Sequence, residues 1–237
     1  MERGKPSDSG SECAPGTIAQ QGPRVYLGAL LLTLILVVAT SAADADQASP
    51  PSLEFDITRE GTVVGHHRVS FQQDGDNLVV RSELKIEVAV LFVIVYRYQQ
   101  TGEEVWHNGR LIALVSTADD DGTPHDIAGV AEPDGLRMTS GKDRWTLPPD
   151  TVPASFWNLS MITGKGPLVD SLTGRILNRR VVKLGQEMVH AGGRNVVATH
   201  YRFEARRTRD IWYDANVRWV KMRAVARDGS VAEWVLK

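Results

Sequence analysis

Cysteine is almost missing from this sequence. Among 237 residues the only one is Cys13, which lies upstream of an apolar run, in a segment that signal cleavage would remove. A chain cleaved after that run has no thiol, which excludes disulfides, thiolate metal sites and a cysteine nucleophile. A chain of this length can bury a sufficient core without disulfides, so the lack of cysteine is compatible with a secreted domain.

An excess of charge is missing as well. The chain has 27 Lys and Arg against 29 Asp and Glu, a formal net charge of −2. Binding to phosphate backbones needs a basic excess, so we expect no nucleic-acid partner.

Long apolar runs are also scarce, apart from residues 25–39, which carry no charge. Arg24 precedes this run, and Ser41 and Ala43 follow it in a small-x-small arrangement. A positive flank, an apolar stretch of roughly 7–15 residues and small residues at the cleavage site define a secretory signal. We therefore predict a signal peptide over residues 1–43, a linker over 44–52 and one domain over 53–237, located in the periplasm or secreted. The alternative is an uncleaved inner-membrane anchor, although the run is shorter than the about 20 residues that span a bilayer. Membrane contact is expected only through this segment.

Motifs for catalysis or metal binding fail on spacing. The acidic turn at residues 117–122 superficially resembles a calcium loop, but such a loop requires Asp and Glu where this sequence has Thr117 and Ala128. The stretch 135–142 resembles a phosphate loop but has one residue too many, and Asp143 stands where Ser or Thr would bind magnesium. The histidines do not pair at helical spacing, and a site assembled from separate strands stays open; they are His66, His67, His107, His125, His190 and His200. We predict no catalytic residue, no metal and no cofactor.

The remaining pattern is one of alternating runs separated by turn residues, which is typical of β-strands joined by hairpins. The turns contain Asn-Gly, Asp-Gly or similar pairs that tolerate positive φ; they fall at residues 60–61, 74–77, 107–109, 119–122, 133–135 and 140–142. One helix is predicted over residues 153–163, with Gly164 after its end. Six tryptophans spread along the domain, and core packing is the expected role of each. We expect a mainly β domain: an antiparallel meander that curls into an open or half barrel with one short helix.

Residues 88–96 interrupt this alternation, because they are apolar on both faces and rich in β-branched side chains. Nine residues are too few for a membrane helix, so the run is predicted to be a strand that is covered on both sides, by a core or a lipid-like cavity. The residues expected to line such a cavity and bind a ligand are Val90, Phe92, Ile94, Tyr96 and Tyr98.

The C-terminal residues 210–214, 218–222 and 228–230 resemble a recurring pattern of an uncharacterised family of exported bacterial proteins, a domain of unknown function. Residues 96–98, 104–111 and 153–158 match its other markers, so the resemblance covers residues 53–236. It implies an antiparallel sheet curled into an open barrel, broadly similar to periplasmic lipoprotein carriers, and it implies no activity. From alternation alone, Asp210, Trp212 and Asp214 share one face of a strand, and Trp219 on the returning strand is expected to pair with Trp212 or Tyr213.

Three functions stay open. The first is a non-enzymatic envelope protein that binds a lipid-like ligand or an envelope protein in the concavity of its sheet. The second is an envelope hydrolase with a site assembled around His66, His107 or His125. The third is a structural component of the envelope.

Overall fold

The computed structural model describes residues 49–226 and 228–237. These residues form fifteen strands and one short helix, α1 (Ser160–Thr163). The strands are β1 (Leu53–Arg59), β2 (Thr62–Asp74), β3 (Asn77–Val90), β4 (Val93–His107), β5 (Arg110–Asp120), β6 (Thr123–Glu132), β7 (Gly135–Ser140), β8 (Asp143–Leu147), β9 (Val152–Pro153), β10 (Leu168–Val169), β11 (Arg180–Ala191), β12 (Arg194–Glu204), β13 (Thr208–Asp214), β14 (Trp219–Val225) and β15 (Val231–Leu236).

Thirteen of these strands form one antiparallel sheet in the order β11-β12-β13-β14-β15-β1-β2-β3-β4-β5-β6-β7-β8. Neighbouring strands are joined by short connections except β15 and β1, the last and first strands among the described residues, which pair from Phe55–Leu236 to Arg59–Ala232. Strands β8 and β11 are the two edges, so the sheet does not close into a barrel. The predicted fold class, mainly β with an open antiparallel sheet and one short helix, is confirmed.

Alternation of side chains along the strands places one face of the sheet against a continuous core. Phe55 and Ile57 on β1, Met138 on β7 and Phe203 on β12 are buried within the same cluster of apolar side chains. Strands from both halves of the sheet therefore share one interior, which requires the sheet to curl around it. Most of the opposite face is solvent-exposed and carries cross-strand ion pairs, such as Arg81 with Glu103 at 2.8 Å.

The segment that joins the two edge strands, residues 148–179, fills this interior, and we call it the plug. It contains α1 and the small parallel pair β9–β10. Met161, Ile162, Leu168 and Val169 are fully or almost fully buried there. The plug is fastened at β8, where the Trp145 indole N–H donates to the Gly174 carbonyl at 3.0 Å.

The helix predicted over residues 153–163 is mostly wrong. Only Ser160–Thr163 is helical, with Gly164 at its C-cap as expected. Pro153 instead belongs to β9, and Phe156 adopts a positive φ of 63°. A strand pairing and a left-handed residue both interrupt the helical path.

The run at residues 88–96 also differs from its prediction. It is not one strand but the end of β3, a two-residue turn at Leu91 and Phe92, and the start of β4. The side chains of residues 90–95 are about half to fully exposed. Among the residues that the structure describes, none covers this run on both sides, so the expected burial is wrong.

The predicted signal peptide, its cleavage site, Cys13 and most of the linker lie outside the described residues. The described residues fall within one compact unit, Ala45–Lys237. Within it, none of the helices is long and apolar enough to cross a membrane.

Candidate functional site

The β3–β4 hairpin extends beyond the ladders that join it to β2 and β5, and it forms the most exposed apolar surface feature of the described chain. The ladder between β2 and β3 ends at Ile86, and the ladder between β5 and β4 ends at Tyr98. Pairing between β3 and β4 continues to Val90 and Val93. Residues 87–97, which we call the apolar arm, therefore project as a two-stranded ribbon. Four residues of each strand beyond the base give it a reach of about 13 Å.

The tip of the apolar arm is the two-residue turn Leu91–Phe92. Leu91 is 87% exposed and Phe92 is fully exposed. Both have positive φ, 49° and 67°, a conformation that suits Asn-Gly and costs a bulky L-residue about 1–2 kcal/mol. Both the solvent exposure and the positive φ favour small polar residues such as Asn and Gly at these two positions. The turn geometry and the solvent exposure therefore do not account for Leu and Phe at these positions.

The structure separates the five residues predicted to bind a ligand into two groups. Val90, Phe92 and Ile94 lie on the apolar arm, in solvent, with Val90 55% and Ile94 48% exposed. Tyr96 and Tyr98 lie at the base of the arm on the concave side and are part-buried. The five do not line one cavity, and their role in binding stays a prediction.

Below the arm, the concave face is polar. The Tyr96 hydroxyl donates to Asp120 at 2.9 Å, and the Tyr98 hydroxyl donates to the Gln100 side chain at 2.9 Å. Gln100 in turn donates to the Ser116 hydroxyl at 2.9 Å. Burial raises the pKa of Tyr98, and the nearby Asp120 adds to the rise. This network uses the polar groups to fix β4 against β5, and the raised pKa keeps Tyr98 neutral.

A buried carboxylate, Glu104, lies deeper on the same strand. Its Oε2 accepts the indole N–H of Trp106 at 2.9 Å and that of Trp157, on the plug, at 3.0 Å. The two indole rings meet edge to face, with centroids 5.6 Å apart. Burial raises the pKa of Glu104 above its ordinary 4.5, and hydrogen bonds from the two tryptophans act against the rise. Glu104 thus fastens the plug to the sheet.

Two open clefts lie at the end of the sheet opposite the arm, on either side of Trp106. One has a volume of about 260 Å³ and is lined by Gln73, Asp76, Asn108 and Trp157, among others. The other, of about 490 Å³, lies between the β4–β5 turn and the start of the plug. Both are shallow, and neither reaches Tyr96 or Tyr98.

The histidines considered for a hydrolase site are distributed over different strands and faces. His66 hydrogen-bonds Asp56 at 2.8 Å on the outer face, and His107 hydrogen-bonds Asn77 at 2.9 Å at a strand end. His125 pairs with Ala118 near the other end of the sheet. Across the part of the chain that the structure describes, no group of three or more metal-binding side chains is found.

His200 belongs to an ionic cluster on the outer face. Its ring stacks on Trp212, with centroids 4.2 Å apart, between Glu187 at 3.3 Å and Asp210 at 3.2 Å. Burial alone would raise the pKa of Asp210. Hydrogen bonds from Arg202 and His200 outweigh this effect, so the pKa of Asp210 lies below its ordinary value. Three adjacent strands, β11 to β13, are joined in this way.

Sequence reasoning missed Glu104 as a site residue, although alternation carried a sign of it. Glu104 is two residues from Trp106 and therefore faces the same side of the strand. A carboxylate beside a core tryptophan is buried only if it is paired. Its second donor, Trp157, is 53 residues away and has no local sign.

The curled, unclosed sheet makes this chain a β-barrel-like protein. Its fold is similar to that of a solved β-barrel-like protein of Brucella abortus with a domain of unknown function, DUF1849. The TM-score is 0.56 at 11% sequence identity, over 78% of this chain and 94% of the other. At that identity the likeness shows the fold alone.

A family model described as Domain of unknown function (DUF6134) matches residues 55–237. The chain belongs to this family. The predicted membership of a family of unknown function is thereby confirmed, while the short C-terminal pattern used to recognise it stays a prediction. No curated protein matches the chain.

Proposed function

We propose that this chain is an exported, non-enzymatic envelope protein that binds an apolar or amphipathic partner, and that the apolar arm is its binding surface. The observation that carries the proposal is the exposure of Leu91 and Phe92 at strained turn positions. An apolar patch that projects into water in this way is typical of an interaction site. The predicted binding in the concavity is replaced here by binding outside it, because the plug fills the interior.

The arm can supply the required free energy. Fully burying a Leu or Phe side chain contributes about 1.5–3 kcal/mol, so the two tip residues together contribute about 3–6 kcal/mol. Val90 and Val93, 55% and 62% exposed, add to this. The β3–β4 ladder already holds the arm in one conformation, so little of this binding free energy is offset by a loss of conformational entropy.

Lysophosphatidylcholine below its critical micelle concentration tests the proposal, because it offers one acyl chain in soluble form. Titration calorimetry should show binding to the full chain and its loss in the L91S/F92S double variant. V197S is the matched control, since Val197 is 52% exposed but lies on β12, away from the arm. Equal binding by all three proteins would refute the arm as the binding surface.

Export is tested separately. After expression with a C-terminal tag, we expect the protein in the periplasmic fraction and an N-terminus at Asp44. Recovery of residues 25–39 in the purified protein would instead support the uncleaved anchor. A wholly cytoplasmic location would contradict both forms of export.

A further inference from the structure

The apolar arm is apolar on every side. Residues 88–95 contain no polar side chain, whichever face of the ribbon they occupy. About half of the surface of each strand residue near the tip is exposed: Val90, Val93, Ile94 and Val95. The two turn residues are almost fully exposed. A groove in a partner protein or an added strand would cover one face or one edge and leave the other sides in water. A lipid bilayer surrounds an inserted ribbon on all sides at once.

The apolar surface ends at a defined level. Glu87 and Arg97 face each other across the β3–β4 ladder and form an ion pair at 2.9 Å. Charged side chains stay outside the hydrocarbon region, so this pair marks the depth limit. The three residues of β3 beyond the pair extend the arm about 10 Å further, about a third of the roughly 30 Å hydrocarbon thickness.

Backbone hydrogen bonding sets the same limit. Within residues 88–90 and 93–95, the outer edges of the ribbon carry N–H and C=O groups that the ladders to β2 and β5 do not reach. Such groups are costly in hydrocarbon but are satisfied at the hydrated interface. Insertion is therefore restricted to the tip and to one leaflet.

The rest of this end of the sheet is polar and of mixed charge. The turns on the same side follow β1, β5, β7, β12 and β14, because alternate antiparallel strands end together. They carry both signs of charge: Glu60, Asp121, Lys142, the pair Arg206–Arg207 and Asp228. Opposite charges are thus both present, and the surface has no strong preference for an anionic membrane.

We propose that the apolar arm inserts end-on into the interfacial layer of a lipid bilayer, with Leu91 and Phe92 at acyl-chain depth and the Glu87–Arg97 pair at the headgroups. This rests on the proposed function and names its partner. The apolar contact dominates, so binding is expected on zwitterionic vesicles and is insensitive to salt.

An environment-sensitive label at position 92 tests this in the full chain. The C13S/F92C variant is labelled with a nitrobenzoxadiazole group and mixed with phosphatidylcholine vesicles. Its emission should shift to the blue, and spin labels near the top of the acyl chain should quench it more strongly than labels near the chain end. A C13S/D76C variant carries the same label on the β2–β3 turn at the opposite end, where no shift is expected.

A second substitution measures how much the arm contributes to vesicle partitioning. Adding L91S to the labelled arm should weaken vesicle partitioning at least 10-fold, whereas adding V197S should leave it unchanged. Replacing a third of the lipid with phosphatidylglycerol, or raising the salt to 0.5 M, should change partitioning less than 3-fold.

Four outcomes would overturn the proposal. The label at 92 stays in a watery environment while the chain sits on vesicles, as it would if only residues 25–39 bound them. The shift is present without lipid and depends on protein concentration, which indicates a second copy. It is present without lipid at every concentration, which indicates a segment of the same chain. Vesicle partitioning is lost in 0.5 M salt, which indicates electrostatic docking.

If lysophosphatidylcholine binding still requires the arm in these cases, the proposed function stands and only bilayer insertion is wrong. If that binding does not require the arm, both proposals are wrong.

Discussion

Removing the acceptor at Glu104 should destabilise the domain more than removing its charge. Its Oε2 accepts two indole N–H groups, and the Trp106 indole is almost fully buried, with 4% exposure. Glu104→Leu leaves both donors without a partner. A buried orphan donor costs about 1–3 kcal/mol, and the part-buried Trp157 adds about 1 kcal/mol. Glu104→Gln keeps an acceptor in nearly the same volume.

The comparison between the two variants isolates this cost, because both remove the ionisable carboxyl. We expect the free energy of unfolding of Glu104→Leu to be about 2–4 kcal/mol lower than that of Glu104→Gln. For a domain of this size that is a difference of roughly 4–16 °C in Tm. Urea unfolding followed by far-UV circular dichroism measures it. Equal stability of the two variants would refute the role of Glu104 as the anchor of the plug.

The carboxyl itself has a pH signature. Burial raises the pKa of Glu104 above its ordinary 4.5. The folded state therefore holds the proton more tightly than the unfolded state, and this contribution to stability is complete below pH 4.5 and is lost as the pH rises through the folded pKa. Measured from pH 4 to 8, Glu104→Gln should gain stability relative to the wild type. A difference that does not change with pH would contradict the assigned cause.

Two further predictions concern the packed interior. Burial lowers the pKa of His67 from 6.5 to about 4. Its contribution to stability is therefore present above pH 6.5 and falls by about 3 kcal/mol by pH 4. His67→Leu should remove that part of the acid sensitivity, and an unchanged pH profile would show that His67 is not the cause. Gly65→Ala should cost at least about 1–3 kcal/mol, because the added Cβ would lie 2.1 Å from the backbone oxygen of Lys85. In the control Gly102→Ala, the Cβ meets the side-chain oxygen of Ser82 at 2.9 Å, which can rotate away; equal losses would show that β2 and β3 yield more easily than their spacing indicates.

Turn chemistry accounts for the part of the fold that could be predicted. Asn108 and Gly109 both have positive φ at the tip of the β4–β5 hairpin, and their identities alone predict that turn. Side-chain alternation likewise predicted the pairing between β13 and β14. Tyr213 faces Trp219, which is one of the two alternatives expected from the sequence.

The turn at Leu91–Phe92 was missed because it uses none of these residues. An apolar, β-branched run has strong strand propensity, and propensity does not show where a strand reverses. The exposure of the residues around the turn follows from the lengths of the neighbouring ladders, which end at Ile86 and Tyr98. That is a property of the whole sheet, so local sequence placed Val90, Phe92 and Ile94 inside rather than outside.

The plug was missed for a related reason. Its contacts join residues far apart in sequence: the Trp157 indole meets Glu104, and the Tyr213 hydroxyl donates to the Phe156 carbonyl at 2.7 Å. Periodicity over residues 153–163 reads as a helix, but the interior it fills favours an irregular path in which only one turn is helical.

The pairing of β1 with β15 makes the order of synthesis matter for this chain. Strand β1 is made before the other strands of the sheet but lacks one neighbour until β15, Val231–Leu236, has been made. Throughout that interval Phe55 and Ile57 have no completed core, and an open strand edge is exposed to other chains. Contacts between the two ends of a chain also slow folding, because a loop of almost the whole domain must close. The nascent chain therefore needs protection along β1 until β15 has been made, whichever compartment it folds in.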